Sequence, residues 1–223
     1  MTIPLDFLKR IPYFDGFQDR ELESIKGLFF EKTAERGELL ALEGEPAEEL
    51  YFVASGVVKI LKTSLEGKEQ ILSIVRPGES FNDVPIFDGG TNPASAQSMG
   101  PVVLYGIRKA DLEATIAQHP QLALNVSKVL ASRVRNLVSL IEDLSFKQVI
   151  GRVAKILLEN SDNRSDPKPH LTQQEMAAMA GTAREVVGRS LKALEEKGAI
   201  RLERHRIVIK DREALNQIVA APQ

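Results

Sequence analysis

The pattern of apolar and polar residues divides the chain into parts with different periods. From about Leu39 to Ile107, short apolar runs are separated by turn sequences such as Glu43-Gly-Glu-Pro46 and Asp88-Gly-Gly90. Turns at intervals of roughly 8 to 12 residues are typical of a small antiparallel barrel or double sheet. We therefore predict a β-domain here, and we expect the segment from Leu50 to Ile60 to form two strands joined by a tight turn at Gly56.

A long helix is predicted from about Pro120 to Leu144, because helix-forming residues dominate this segment and neither Gly nor Pro occurs in it after Pro120. Apolar residues recur along it at alternating spacings of four and three, continuing through Arg133, as in the seam of a coiled coil. This seam, which we predict to be the interface of a parallel homodimer, consists of Val126, Leu130, Leu137, Leu140 and Leu144.

A second apolar stripe on the same helix consists of Val129, Val134, Val138 and Ile141. Two apolar faces need two partners, and we expect the β-domain of the same subunit on one face and a second subunit on the other. Periodicity alone also allows one helix enclosed inside a monomer, and that alternative stays open here.

Two short helices are predicted after a loop that runs from Ser161 to His170. The first begins at Thr172, whose hydroxyl can accept a hydrogen bond from the Glu175 amide while the Glu175 carboxylate accepts one from the Thr172 amide, an arrangement called a capping box. Thr182 and Glu185 have the same spacing and predict a second capping box at the start of the second helix. Gly181 supplies the turn between them.

A hairpin is predicted after Gly198, which ends the second short helix. Its strands are Ala199–Glu203 and Arg206–Lys210, and they turn at Arg204-His205. Two short helices followed by a hairpin are typical of a winged helix-turn-helix, which binds double-stranded DNA.

The second short helix, from Ala183 to Lys197, has an apolar face formed by Val187, Leu191 and Leu194. The opposite face consists of Arg184, Glu185, Gly188, Arg189 and Lys192. An Arg can contact O6 and N7 of guanine, and a Glu can accept a hydrogen bond from N4 of cytosine. The other interpretation is a solvated face with local ion pairs, which is common on helices.

The remaining two residues of this face suit the DNA backbone. Gly188 has no side chain, so the helix backbone can approach the duplex closely, and we expect Lys192 to contact a phosphate. We include Thr172 and Thr182 among the DNA-binding residues.

Composition removes several classes of function. The 223 residues include no Cys, which excludes disulfides, thiolate zinc sites and cysteine-ligated iron-sulfur clusters. The net charge of -2 is unevenly distributed: cationic residues outnumber acidic ones by four from Ser145 onward, while acidic residues are in excess by six before it. A basic module beside an acidic one suits a polyanion-binding region. With no apolar stretch near the roughly 18 residues of a membrane span and no signal peptide, we expect no membrane association and a cytoplasmic location.

The chain resembles the CRP/FNR family of bacterial transcription regulators from end to end. The resemblance lies in the long helix, in the sequence Gly151-Arg-Val-Ala154, and in the segments Gly37–Ile60, Gly78–Ala96 and Leu171–Ile200. It implies an α+β fold with a double-stranded β-helix (jelly-roll, cyclic-nucleotide-binding-like) sensor domain at 1–118, a dimerisation helix at 119–145 and a winged helix-turn-helix domain at 146–223. It also implies a homodimer that binds DNA and contacts RNA polymerase.

The resemblance places Arg184, Glu185 and Arg189 on the base-reading positions found in the cyclic-AMP-binding branch of the family. It therefore implies a palindrome with TGTGA-like half-sites. One departure is Val186, where that branch has a Thr that touches phosphate.

In the same branch, an acidic residue holds the ribose hydroxyl of the nucleotide, and an Arg and a Ser hold its phosphate. Here Asn82-Asp83 and Ala94-Ser95 match those elements, so the Arg is replaced by Ala94. A buried phosphate without a cation is costly. A Thr-Ser pair that contacts adenine is replaced by Leu137 and Val138. The resemblance thus implies an effector pocket made of Asn82, Asp83, Ala94, Ser95, Arg133, Leu137 and Val138, and it argues against cyclic AMP as the effector.

Other branches of the family have an apolar pocket, and some of them bind haem. No haem ligand is evident here, because His119, His170 and His205 all lie outside the predicted barrel and are expected on the surface. The effector is therefore unknown. The alternatives left open are another small apolar or anionic molecule, haem through an unusual ligand, and no effector at all.

Two other functions compete with a sequence-specific regulator. A metal-dependent β-barrel enzyme needs several His and carboxylate ligands, and the barrel region has no His, so we predict no enzymatic activity. An effector-binding protein with only non-specific DNA binding is the second alternative.

Overall fold

The structure, a computed structural model, describes residues 3–160, 171–204 and 206–220. The chain forms two compact units, one made of residues up to 62 together with 73–136, and the other made of 63–72 together with residues from 137 onward. Each unit has its own apolar core.

The first part of the chain alternates short helices with the eight strands of a β-domain. Its elements in order are α1 Leu5–Leu8, a 3₁₀ turn Pro12–Phe14, α2 Asp19–Lys26, β1 Phe29–Ala34, β2 Leu39–Ala41, β3 Glu49–Ser55, β4 Val58–Thr63, β5 Glu69–Val75, β6 Ser80–Phe81, α3 Asp83–Asp88, β7 Ser95–Ser98, β8 Val102–Arg108 and α4 Lys109–Gln118. The predicted β-domain is confirmed, although β1, α1, α3 and α4 were not predicted.

The strands form two four-stranded sheets with the orders β1-β8-β3-β6 and β2-β7-β4-β5. The pairing is antiparallel, for example between β3 and β8 and between β4 and β7. One buried cluster takes residues from both sheets, including Tyr51, Val53, Phe81, Ala96 and Leu104. Residues from both sheets therefore share a core, as in a β-sandwich.

The segment from Leu50 to Ile60 does form two strands around Gly56, but these strands do not pair with each other. β3 lies in one sheet and β4 in the other, so the chain crosses between sheets at this turn. Gly56 has a φ of 82°, and a Cβ at this position would lie 2.4 Å from the carbonyl oxygen of Pro101. The expected hairpin is therefore wrong, because the tight turn serves a sheet crossing.

A second buried cluster of the same unit is rich in aromatic rings. Tyr13, Phe14 and Phe52 are fully buried there, and the Tyr13 and Phe52 rings meet edge to face with centroids 5.3 Å apart. Leu122 and Val126 of the long helix complete this cluster. The N-terminal segment is thus part of the core of the β-domain.

The long helix α5 runs from Pro120 to Phe146 and spans 27 residues. Val126 is only 5% exposed and belongs to the aromatic cluster of its own unit, and Leu130 packs against the same cluster. The prediction that Val126 lies in a seam between subunits is therefore wrong, and Leu130 faces the same core. A straight α-helix turns away from a 3.5-residue repeat by about 20° per heptad, so the start and the end of the predicted seam face different directions.

A different apolar stripe of α5 is exposed. Val134, Leu137, Val138 and Ile141 are between 45% and 64% exposed, at the spacing of one helix face. Leu144, by contrast, lies beside the turn after the next short helix, where a Cβ on Gly181 would be 2.7 Å from its Cδ2 atom.

The C-terminal part of the chain folds around a core of its own. Its elements are α6 Val149–Asn160, α7 Gln173–Ala180, α8 Arg184–Glu196, β9 Ile200–Glu203, β10 Arg206–Ile209 and α9 Arg212–Ala220. The two predicted short helices and the hairpin are confirmed, while α9 was not predicted. The predicted loop from Ser161 to His170, and His205 at the hairpin turn, lie outside the described residues.

Candidate DNA-reading helix and sensor site

α8 is held in place by its apolar face. Val187, Leu191 and Leu194 are fully buried and pack in one cluster with residues of α6 and α7. The predicted apolar stripe is confirmed, and the helix begins and ends within one residue of the predicted ends, with Ala183 as N-cap and Lys197 as C-cap.

The opposite face of α8 is charged and exposed. Arg184, Glu185, Arg189 and Lys192 are all exposed, as predicted from the position of the buried stripe. Among the described residues, no hydrogen bond or ion pair involves their side chains. Local ion pairs therefore do not account for this face, and its donors and acceptor are available to a ligand.

Gly188 lies on the same face at a point where the helix itself does not require glycine. A Cβ there would lie 3.8 Å from Oε1 of Gln173, which is an ordinary van der Waals distance, and the backbone is not in the left-handed region. Packing within the chain therefore gives no reason for glycine at this position. Close approach of an external group would give one.

The two threonines predicted to cap helices behave differently. The Thr172 hydroxyl accepts a hydrogen bond from the Glu175 amide at 3.1 Å, and the Glu175 carboxylate accepts one from the Thr172 amide at 2.7 Å. The first predicted capping box is therefore confirmed. The second box is wrong, because the N-cap of α8 is Ala183 rather than Thr182. Thr182 instead lies in the turn, where its amide donates to the carbonyl oxygen of Ala177.

The hairpin carries cationic side chains that the sequence analysis did not select. Arg201, Arg204 and Arg206 are all exposed. Hydrogen bonds from Arg206 and Arg201 to the Glu203 carboxylate hold the pKa of Glu203 below its usual value. Their position on a hairpin after α8 could have selected them, since the hairpin of a winged module lies beside its reading helix.

In the sensor domain, Asp83 is the centre of a buried polar network. Its side chain is fully buried, and one carboxylate oxygen accepts hydrogen bonds from Tyr13 and, at 2.8 Å, from Ser80. The other oxygen forms an ion pair with Arg133 of α5, which also donates to the Ser80 hydroxyl. Burial, and then the charge of Asp83, raise the pKa of Tyr13 above its usual range. The carboxylate is therefore satisfied by three side chains of the protein itself.

Two residues of the predicted pocket, Asp83 and Arg133, form an ion pair in the structure. Tyr13 and Ser80 were missed, and no spacing could have indicated Tyr13, because it lies 70 residues before Asp83 in the chain.

The other predicted pocket residues are more dispersed. Asn82 has a φ of 69° and its amide donates to the carbonyl oxygen of Glu49, whereas the Ser95 hydroxyl accepts from the amide of Glu43. Ala94 is buried with no charged group of its own to offer. Leu137 and Val138 are exposed and belong to the other compact unit.

His119 is half-buried rather than fully on the surface. Its Nδ1 lies 3.3 Å from Oε1 of Glu21, and its ring centroid lies 5.3 Å from that of Phe17. His170 and His205 lie outside the described residues. Within the described part of the chain, no group of three or more His, Asp or Glu residues could hold a metal ion, and no helix has the length and apolar character of a membrane span.

Comparison with known proteins finds a match for two domains of the chain. Residues 31–119 match the cyclic nucleotide-binding domain, and residues 151–218 match the Crp-like helix-turn-helix domain. The first match runs from within β1 to just past α4, and the second runs from within α6 into α9.

Relatives and solved structures extend the similarity over nearly the whole chain. The chain is 32% identical to the cyclic AMP receptor protein of Thermus thermophilus over 95% of its length and 98% of that protein. It is also 32% identical to a CRP-like cAMP-activated global transcriptional regulator of Mycobacterium tuberculosis, over 94% of this chain and 97% of that one. The structure of FixK2 from Bradyrhizobium japonicum superposes with a TM-score of 0.78 at 24% identity, covering 86% of this chain and 98% of the other.

Two matched domains, a helix-turn-helix with an exposed charged face, and similarity along nearly the whole length lead to one conclusion. The chain belongs to the CRP/FNR family of DNA-binding transcription regulators.

Proposed function

We propose that this regulator binds, as a homodimer, a palindrome with TGTGA-like half-sites, and that α8 reads each half-site in the major groove. The observation that carries the proposal is the exposed set of Arg184, Glu185 and Arg189 opposite the buried stripe of α8. The side chains of this set have no partner among the residues that the structure describes. Two arginines suit guanines and one glutamate suits cytosine, which matches a half-site with two G·C pairs.

The length of the charged face fits a few base pairs. Glu185 and Arg189 are separated by one helical turn, which corresponds to a rise of about 6 Å. Successive base pairs are about 3.4 Å apart along the duplex, so the two side chains are placed about two steps apart. Lys192, further along the helix, then meets the phosphate backbone, and Gly188 lets the backbone approach the groove.

A second copy of the chain supplies the reading helix for the second half-site. The exposed stripe of Val134, Leu137, Val138 and Ile141 has the spacing of a coiled-coil seam, and four large aliphatic side chains exposed to water favour burial against a partner. The dimer interface thus starts near Val134, after Val126 and Leu130 have entered the sensor core. We expect Val138→Glu to be monomeric in sedimentation analysis, whereas Arg36→Glu, an exposed position outside α5, stays dimeric.

The sensor is proposed not to respond to cyclic AMP. The Asp83 carboxylate, which the resemblance assigns to the ribose hydroxyl, is already bound by Tyr13, Ser80 and Arg133. The position assigned to the phosphate-binding Arg is Ala94, which has no charge. A nucleotide would have to displace internal hydrogen bonds of Asp83 and would bring an anion to a site without the family's cation. RNA polymerase is the expected partner of the DNA-bound dimer.

The proposal is tested by selecting binding sites from random duplex DNA with the purified chain and no added nucleotide. We expect an inverted repeat with paired guanines in each half-site, and we expect the selection to fail with Arg189→Ala. Enrichment of sequences without a repeated half-site, or equal retention of all sequences, would contradict the proposal.

A further inference from the structure

Arg152 of α6 joins the ends of two other helices. Its Nε donates to the carbonyl oxygen of Ala180, the last residue of α7, at 2.8 Å. Its Nη1 donates to the carbonyl oxygen of Lys147 directly after α5 at 2.6 Å, and a longer contact of 3.4 Å reaches that of Asp143. One half-buried guanidinium therefore connects the C-terminal ends of α5 and α7.

Helix ends explain why an arginine suits this position. The last carbonyl groups of a helix have no partner inside it and carry the negative end of the helix dipole. A guanidinium presents several N–H donors in a fixed plane, so it can satisfy two such ends in a set geometry. A lysine ammonium is a compact point charge on a flexible stem and does not impose that geometry.

A second contact fixes α6 to the same end of α5. Lys155 binds the carboxylate of Asp143 and lies 3.2 Å from the hydroxyl of Ser139, while Lys147 also pairs with Asp143. Burial acts to raise the pKa of Asp143, but hydrogen bonds from Lys147 and Lys155 outweigh it and hold that pKa below its usual value. α6 is thus tied to α5 at two points one turn apart.

The direction of α8 follows from that of α7. Met176, Ala177 and Ala180 of α7 are buried in the same cluster as Val187 and Leu191 of α8. The turn between the two helices is short, with Gly181 in the left-handed conformation and the Thr182 amide bonded back to Ala177. A change at the end of α7 is therefore passed directly to α8.

We propose that Arg152 is a positioning residue that sets the direction of α8 relative to the end of α5, and thereby the separation of the two half-sites that a dimer recognises. This inference rests on the proposed function, because it needs two copies of α8 on one palindrome. Arg152 bonds backbone carbonyls inside the protein and is not part of the exposed face of α8, so it acts on spacing and not on base identity.

The test is a series of palindromes that differ only in the number of base pairs between half-sites, measured with the full chain at one salt concentration. Reading helices about one DNA turn apart, roughly 34 Å, give the wild type a sharp optimum of affinity. We compare the affinity for the palindrome with the best spacing to the affinity for one whose spacing is two base pairs longer. For Arg152→Gln we expect the ratio of these two affinities to fall by roughly tenfold, as expected for losing hydrogen bonds from a charged group. Affinity for a single half-site is expected to stay unchanged.

Two further variants make the result specific. Arg152→Lys keeps the charge and the aliphatic stem, so it can replace Arg152→Gln in the test if that variant does not fold. Its affinity is also expected to depend less on half-site spacing than that of the wild type. Arg36→Gln removes an exposed arginine without protein partners among the described residues, and it should keep the wild-type optimum.

Each outcome has one meaning. A wild-type optimum that persists in Arg152→Gln, or that Arg152→Lys fully restores, would overturn the role of the guanidinium bridge. A wild type that shows no optimum at all would contradict the proposed palindrome binding and not the bridge.

Discussion

The charged residues of α8 and those around Asp83 stand in opposite environments. Arg184, Glu185 and Arg189 are exposed and have no protein partner among the described residues, although they lie on a rigid, well-packed helix. Asp83 and Arg133 are paired with each other, and Asp83 is also bonded to Tyr13 and Ser80.

This difference separates exposed groups that have no partner among the described residues from buried groups that are already bonded. Hydrogen-bonding groups without partners on a rigid element can be satisfied by an external molecule at little reorganisation. Groups that are buried and already bonded must first be separated, which costs the free energy of their internal contacts. The proposed function assigns DNA reading to the exposed set on α8 and a structural role to the buried Asp83.

The largest effect is expected from Asp83→Ala. Removing the carboxylate leaves Arg133 without its counter-ion and Tyr13 without its acceptor, and we expect a loss of about 3 kcal/mol in the free energy of unfolding. Chemical denaturation measures this loss. Glu66→Ala, at an exposed turn, is the control and should change it by less than about 0.5 kcal/mol. A stable Asp83→Ala protein would show that the network is not structural.

Arg189→Ala tests the other side of the comparison. We expect the affinity for the selected palindrome to fall by about 2 kcal/mol per bidentate contact removed. The unfolding free energy should stay unchanged, because the side chain has no partner within the described part of the chain. The same variant on DNA with both half-sites scrambled should bind like the wild type. An equal loss on both DNAs would assign Arg189 to the phosphate backbone instead of a base.

Tyr13→Phe removes one hydroxyl from the sensor network and keeps the ring that packs on Phe52. Since the hydroxyl donates to a charged carboxylate, we expect a loss of about 1.5 kcal/mol in the free energy of unfolding. Tyr105→Phe is a matched control, because that ring packs on Phe7 and its hydroxyl has no hydrogen-bond partner among the described residues. Equal stability of the two variants would argue against the Tyr13 bond.

The smallest effect is expected from Gly188→Ala. The added Cβ fits against Gln173, and alanine favours a helix over glycine, so the unfolding free energy should rise by about 0.5–1 kcal/mol. Affinity for the palindrome should nevertheless fall by about 1 kcal/mol, because the methyl group intrudes where the backbone meets DNA. Thermal unfolding and a binding titration on the same sample separate the two effects. An unchanged affinity would place Gly188 away from the duplex.

Local patterns account for what the sequence predicted well. The buried stripe and the free charged face of α8 follow from a 3.6-residue period, and the Thr172 cap follows from one four-residue motif. The N-cap of α8 was missed because Thr182 and Ala183 are adjacent, and the choice between them depends on how the turn at Gly181 closes.

Contacts between distant parts of the chain account for what the sequence did not predict. The hydrogen bond between Tyr13 and Asp83 joins an N-terminal turn to α3. No sequence motif contains both residues, because they are 70 positions apart. At the crossing of β3 and β4 between sheets, a Cβ on residue 56 would lie 2.4 Å from the carbonyl oxygen of Pro101, which is distant in sequence. Periodicity shows that α5 has two apolar stripes, but it does not show what each stripe packs against. For this reason the face of α5 that packs in the β-domain core was assigned to the wrong partner.

The comparison between α8 and Asp83 is tested most directly by one titration: the wild-type chain on its selected palindrome, at fixed salt, with and without cyclic AMP in large excess. A ligand that does not distinguish two states of a protein cannot shift their equilibrium. We predict tight, sequence-specific binding without the nucleotide, and a dissociation constant that changes less than about twofold when it is added. Binding that appears only with cyclic AMP, or that tightens by about tenfold or more, would contradict the structural role assigned to Asp83.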